Sequence, residues 1–266
     1  MHSGETTAPA QVEPAQVEQV GVEQISVEQI SVEQGRVEQT PVAQVGIGHS
    51  YVGPFERAQA EIGQSAACQF DGLIADIAAR GWTCAPHFLP ESIWQPLAAD
   101  LRTCVLGGRL RPAAIGAGAT LHADVNARGD DIAWLDPQQA NAAQQSIFAR
   151  LEALRLDLNR GLQLGLFEFE GHYARYPAGA GYRRHLDQHR GNDARVLSCV
   201  LYLNPDWREQ DGGCLRLYTR PDDSEHIDLQ PAAGALVCFL SARFYHEVLP
   251  ARRERLSLSG WFRRRA

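Results

Sequence analysis

Hydrophobic and polar positions follow three successive patterns along this 266-residue chain. From Val12 to Val42 a valine recurs every fifth residue, mostly in Val-Glu-Gln units such as Val17-Glu18-Gln19 and Val22-Glu23-Gln24. Five residues turn a helix by roughly 140°, so these valines spiral around it, and on a strand they alternate between faces. Residues 1–59 therefore read as a low-complexity, disordered tail, with a folded domain expected over 60–266. Helical spacing follows. Leu73, Ile74 and Ile77 form one face that Gly81 can close, and Ile93, Trp94, Leu97, Leu101 and Val105 form another ended by Gly107-Gly108. Asp136-Pro137 reads as a cap opening a long helix through Ile147, Leu151, Leu154 and Leu158 to Gly161.

The third pattern is a series of short apolar runs bounded by turn residues: 166–176, 182–187, 196–203, 214–218, 227–229, 235–240 and 256–262. Asn204-Pro205, Gly212-Gly213 and Pro221-Asp222 punctuate them. Helices followed by many short strands predict an α+β fold with a mainly β core, a jelly roll or double-stranded β-helix with N-terminal helices supporting one sheet.

Composition removes several functions. A formal net charge of −7 argues against a general nucleic-acid binder. Cys68, Cys84, Cys104, Cys199, Cys214 and Cys238 are scattered, with neither Cys-x-x-Cys pairs nor zinc-finger spacing, and are expected to be reduced thiols. The first residues lack a basic region followed by an apolar core, and no apolar run reaches the about 18 residues that span a bilayer. A cytoplasmic protein without membrane or nucleic-acid partners is the expectation; oligomeric state is not legible.

Candidate chemistry lies among the strands. His185 and Asp187, two apart at a strand end, leave the same face and can share one ion. His246 follows the strand over 235–240, where a jelly roll can bring it back to them. Two imidazoles and one carboxylate suit non-haem Fe(II) and leave coordination positions open. Arg255 begins the last strand, whose alternation puts it on one face with Ser257, Ser259 and Trp261. Arginine grips a planar carboxylate through two parallel hydrogen bonds, as a 2-oxo acid chelating the iron would require. Tyr202, inward with Val200 and Ser198, can add a hydroxyl. His189 is expected to be a loop residue, since a fourth protein ligand would close the open positions. His49, His87, His122, His172 and His226 have no partners at ligand spacing.

With these residues in place, the sequence resembles the prolyl 4-hydroxylase branch of the 2-oxoglutarate oxygenases, especially the EGL-nine-type enzymes that hydroxylate proline in hypoxia-inducible factor, and their bacterial relatives. The telling stretches are 128–134 (Arg-Gly-Asp-Asp-Ile-Ala-Trp), Tyr176-Pro177, 181–187, 202–207, 212–216, and His246-Glu247-Val248 with Arg255 and Trp261. The resemblance implies iron on His185, Asp187 and His246, the distal carboxylate of 2-oxoglutarate on Arg255 and Tyr202, and pocket walls that include Tyr176, Leu215, Ser259 and Trp261. It also implies that Arg128 and Asp130 belong to a mobile loop over a peptide substrate. Compared with the animal enzymes, the spacer from Tyr176 to His185 is one residue shorter and that from Asp187 to Tyr202 one longer, and Ser259 replaces a threonine.

The implied activity is Fe(2+)-, 2-oxoglutarate- and O2-dependent hydroxylation of a prolyl residue in a protein or peptide, with succinate and CO2 as coproducts and L-ascorbate as reductant. Two alternatives remain at this point: the same chemistry on a free amino acid or small metabolite, and a non-catalytic jelly-roll sensor of metal or 2-oxoglutarate.

Overall fold

The computed structural model describes residues 69–114, 122, 124–188 and 193–265. The Val-Glu-Gln repeats, the boundary near Ala60, Cys68, His49 and His189 lie outside the described residues.

Among the described residues three α-helices precede most of the strands. Helix α1 (Asp71–Arg80) ends at Gly81, whose φ of 84° supplies the left-handed residue on which many helices stop. Helix α2 (Glu91–Leu106) stops before Gly107-Gly108 as expected. The third departs from expectation. Asp136 caps only a single 3-10 turn, Pro137–Gln139, and the long helix α3 (Ala142–Leu162) starts instead from Asn141, whose side chain and that of Gln144 form a reciprocal capping box. Asn141 also donates to Asp100 of α2, which accepts from Gln144 and from Tyr173 as well, so one carboxylate joins two helices to the sheet. Replacing Asn141 by alanine is expected to lower stability by about 1 kcal/mol or more, measured as a fall in denaturation midpoint. Helix α3 runs past Gly161, where an added Cβ would come within 2.8 Å of the Ile74 side chain. The glycine lets α1 and α3 approach.

The strands are β1 (Trp82–Ala85), β2 (Arg111–Pro112), β3 (Asp131–Trp134), β4 (Glu168–Tyr176), β5 (Tyr182–His185), β6 (Arg195–Tyr202), β7 (Leu215–Tyr218), β8 (His226–Leu229), β9 (Leu236–Leu240), β10 (His246–Val248) and β11 (Arg255–Arg263). All pairings between them are antiparallel. They form a larger sheet in the order β1-β9-β6-β11-β4-β3-β2 and a smaller one in the order β5-β10-β7-β8, a double-stranded β-helix. All seven expected runs are strands; β1, β2, β3 and β10 are additions.

Alternation along β6 assigns the two faces of the larger sheet. Leu197, Cys199 and Leu201 join the core beneath the helices with Leu73, Ile77, Leu151 and Leu158. Val200 and Tyr202 join a second core with Ala174, Tyr176, Leu215 and Phe239, on the side where the functional groups collect. Among the described residues no helix is long and apolar enough to cross a membrane.

Candidate active site

Antiparallel register builds the centre of the site. On β5 and β10, His185 and His246 are direct cross-strand partners, and Asp187 follows two residues after His185. One potential ligand atom from each of these three side chains lies within 4.8 Å of the others. The imidazoles are oriented from behind: Nδ1 of His185 lies 2.7 Å from the Arg183 carbonyl and Nδ1 of His246 lies 3.2 Å from that of Phe244. A proton on each Nδ1 donates to the carbonyl and leaves the Nε2 lone pair for a metal. Tyr182 stacks on His185 with ring centroids 3.6 Å apart, and Phe239 braces His246 at 4.6 Å.

Electrostatics prepare the same atoms. Burial by itself would raise the Asp187 pKa, but His246, His185 and a hydrogen bond from Ser198 hold the carboxyl well below the usual carboxylate range. Burial, reinforced by the neighbouring His185, lowers His246 to about 4. A deprotonated carboxylate beside a neutral imidazole is the state that binds a divalent cation.

Behind Asp187 stands a short hydroxyl relay. Ser198 donates to Asp187 Oδ2 at 2.6 Å and lies 2.9 Å from the buried Ser241 hydroxyl. Since the carboxylate only accepts, Ser241 must donate to Ser198, and the relay fixes the carboxylate's rotation. Ser198→Ala is expected to weaken Fe(II) binding by about 10-fold, with Ser198→Thr closer to the native protein, measured by metal titration.

The triad opens on a cavity of about 270 Å³. Tyr176, Leu215, Arg255, Ser259 and Trp261 line it, as the sequence leads one to expect. Arg255 is 1% exposed and Tyr202 is fully buried. The guanidinium lies 5.2 and 5.0 Å from the rings of Tyr176 and Tyr202 and donates through Nε to the Gly213 carbonyl at 3.0 Å. Gly213, at φ 68°, is confined by Ala251 and Trp207, so the residue that receives this hydrogen bond has no room for a side chain. Arg255 Nη2 and the Tyr202 hydroxyl are buried without hydrogen-bond partners among the described residues. Burial raises the pKa of both Tyr176 and Tyr202, keeping their hydroxyls protonated as donors. A buried cationic fork with an unsatisfied N–H, next to an unsatisfied phenol, fits an incoming carboxylate.

Arg128 and Asp130, expected in a loop over the substrate, line another part of the wall. They form a two-pronged ion pair of 2.7 and 3.0 Å, and Asp130 is 2% exposed. Hydrogen bonds from Gly129 to the Gly181 carbonyl and from Arg183 to the Ala127 carbonyl tie this stretch to β5. Sequence reasoning gave no role to Tyr182, Arg195 or His172, all of which line the cavity. His172 has no partner at ligand spacing along the chain, but β4 alternation places it on the face that carries Tyr176.

A family model described as the 2OG-Fe(II) oxygenase superfamily matches residues 171–263. A prolyl-4-hydroxylase from Pseudomonas putida, known from its crystal structure, is 47% identical to this chain, with a TM-score of 0.67; the match covers 74% of this chain and all of that one. The chain belongs to the prolyl 4-hydroxylase superfamily. As a 2OG-Fe(II) oxygenase it is an enzyme whose family uses Fe(2+), 2-oxoglutarate and O2. Human Egl nine homolog 1 is 32% identical over 143 residues, a span of 51% of this chain and 33% of the human protein. The chain thus matches about a third of that relative's length. A prolyl hydroxylase from Trichoplax adhaerens, solved with a hypoxia inducible factor peptide, shares the fold at 24% identity and a TM-score of 0.63, covering 79% of this chain and 93% of that one.

Proposed function

We propose that this oxygenase hydroxylates a prolyl residue in a protein or peptide, with iron on His185, Asp187 and His246 and the distal carboxylate of 2-oxoglutarate on Arg255 and Tyr202. The observation that carries the reading is the unsatisfied donor on Arg255, which lines the cavity that holds the His-Asp-His cluster, with the unsatisfied Tyr202 hydroxyl on the ring beside its guanidinium. The 47% identity to the Pseudomonas putida prolyl-4-hydroxylase supports the choice of a prolyl substrate.

When bound, the metal and cosubstrate would supply the oxidation, in which 2-oxoglutarate loses CO2 to give succinate, one atom of O2 entering succinate and the other the hydroxylated substrate. The chain's own residues position the reactants. Asp187 and the Nε2 atoms of both histidines offer lone pairs on one side, leaving the cavity side open. Arg255 and Tyr202 orient the cosubstrate carboxylate, while Tyr176, Leu215, Ser259 and Trp261 wall it from water. Arg128, held by Asp130, borders the space left for substrate. L-Ascorbate would keep the metal reduced between turnovers, and a cytoplasmic location is part of the same proposal.

The test is succinate release with and without proline-containing peptides, followed by mass spectrometry of the peptide. One added oxygen on proline supports the reading; stimulation by a free amino acid or small metabolite alone redirects the substrate, and binding without turnover leaves a sensor. We also propose residues 60–266 as the catalytic unit. A chain starting near Ala60 is expected to retain cosubstrate turnover, and loss of folding or activity would move that boundary.

A further inference from the structure

β4 places in the cavity wall a polar side chain that none of the roles above uses. His172 is 2% exposed, and its Nδ1 is buried without a hydrogen-bond partner among the described residues. Its ring is flanked by Trp134 and Trp261, with centroids 4.9 and 5.6 Å away, and all three residues line the cavity. Trp134 is 55% exposed, so this corner extends to the surface. His172 is outside the His185, Asp187 and His246 cluster. Packing gives no reason for an imidazole here, because an apolar side chain could fill the space between two indoles without burying an unpartnered nitrogen.

Burial, together with the cationic Arg128 and Arg195, lowers the His172 pKa to about 3, so the ring is neutral and has one N–H and one lone pair. A neutral donor suits a neutral acceptor. The amide nitrogen of a proline residue carries no hydrogen, so the main-chain groups closest to a prolyl ring are carbonyl oxygens, which only accept. The exposed indole of Trp134 offers apolar surface for the pyrrolidine ring itself, whereas the Trp261 ring is covered by the Arg195 guanidinium 3.4 Å from its centroid. A lysine or arginine at this position would also attract carboxylates, 2-oxoglutarate included; a neutral imidazole does not. We infer that His172 is a specificity-determining residue whose ring N–H hydrogen-bonds a main-chain carbonyl of the substrate beside the target proline. The inference rests on the prolyl reading and names a substrate contact within it.

The experiment compares the native protein with His172→Phe, which keeps a flat ring without nitrogen, and His172→Gln, which restores an N–H without the ring. Each is tested for melting temperature, Fe(II) affinity, the 2-oxoglutarate KM of peptide-independent succinate release, and kcat/KM on the best substrate from a library of proline-centred peptides. In His172→Phe, kcat/KM for the peptide is expected to fall about tenfold or more while Fe(II) affinity and the 2-oxoglutarate KM stay within about twofold; His172→Gln should recover part of the loss. Should the phenylalanine variant not fold, His172→Met fills the same space without a donor. An unchanged kcat/KM overturns the assignment, and so does a parallel rise in the 2-oxoglutarate KM, which would give His172 to the cosubstrate. If the native protein hydroxylates no peptide in the library, the prolyl reading itself falls, and this inference with it.

Discussion

Arg255→Ala is expected to raise the 2-oxoglutarate requirement by about 30-fold or more while leaving Fe(II) binding nearly unchanged. Arg255 is almost fully buried, one of its terminal N–H groups has no partner among the described residues, and it contacts two aromatic rings and the Gly213 carbonyl. No carboxylate of the described protein pairs with it. An anionic ligand therefore meets an uncompensated charge, and truncating one side of a buried charge pair typically costs about 2–5 kcal/mol. Arg255→Lys should fall between the two, because lysine keeps the charge but loses the fork that matches a planar carboxylate. The measurement is a pair of titrations on each variant, Fe(II) at saturating 2-oxoglutarate and 2-oxoglutarate at saturating Fe(II). Curves that overlay those of the native protein would make Arg255 a structural strand-end arginine.

Asp187→Ala should lose turnover altogether. It removes the negative charge of the proposed metal cluster and leaves two imidazoles, too weak a set to retain Fe(II) against water. The fold is expected to survive, because Asp187 lies beyond the end of β5 and accepts a hydrogen bond from Ser198, which is itself held by Ser241. Metal-induced thermal stabilisation separates the two effects: Fe(II) should raise the melting temperature of the native protein and not that of the variant, while both melt cooperatively without metal. Near-native succinate release in the variant would remove Asp187 from the metal site.

The triad was readable in the sequence because two of its members are adjacent on one strand face, and Arg255 because strand alternation alone places it with Ser259 and Trp261. The missed features depend on information that local spacing lacks. Trp82–Ala85 is too short to show a period, and it is a strand because β9, far along the chain, pairs with it. Asp136-Pro137 carries a sound cap signal, satisfied here by one 3-10 turn, while Asn141 and Gln144 cap the helix itself. His246 was placed after a strand of the larger sheet, but the chain crosses between sheets and gives it a strand of its own opposite His185. Ser198 and His172 gain their significance from neighbours across the sheet, Ser241 and Asp187 for one, Trp134 and Trp261 for the other. No run of local sequence contains those sets.

The two-faced character of β6 also bears on how such a chain can change in length. A one-residue insertion or deletion within β6 would exchange its faces, sending Ser198 toward the helices and Leu197 or Cys199 toward the His-Asp-His cluster, so that one event would damage both the hydrophobic core and the proposed metal site. Substitutions along β6 can be judged one side chain at a time, whereas a register error cannot be absorbed locally. Length variation should therefore be channelled into the connections on either side of β5. A library that varies chain length at 177–181 or 188–194 should yield far more folded, iron-binding members than one that varies the length of β6.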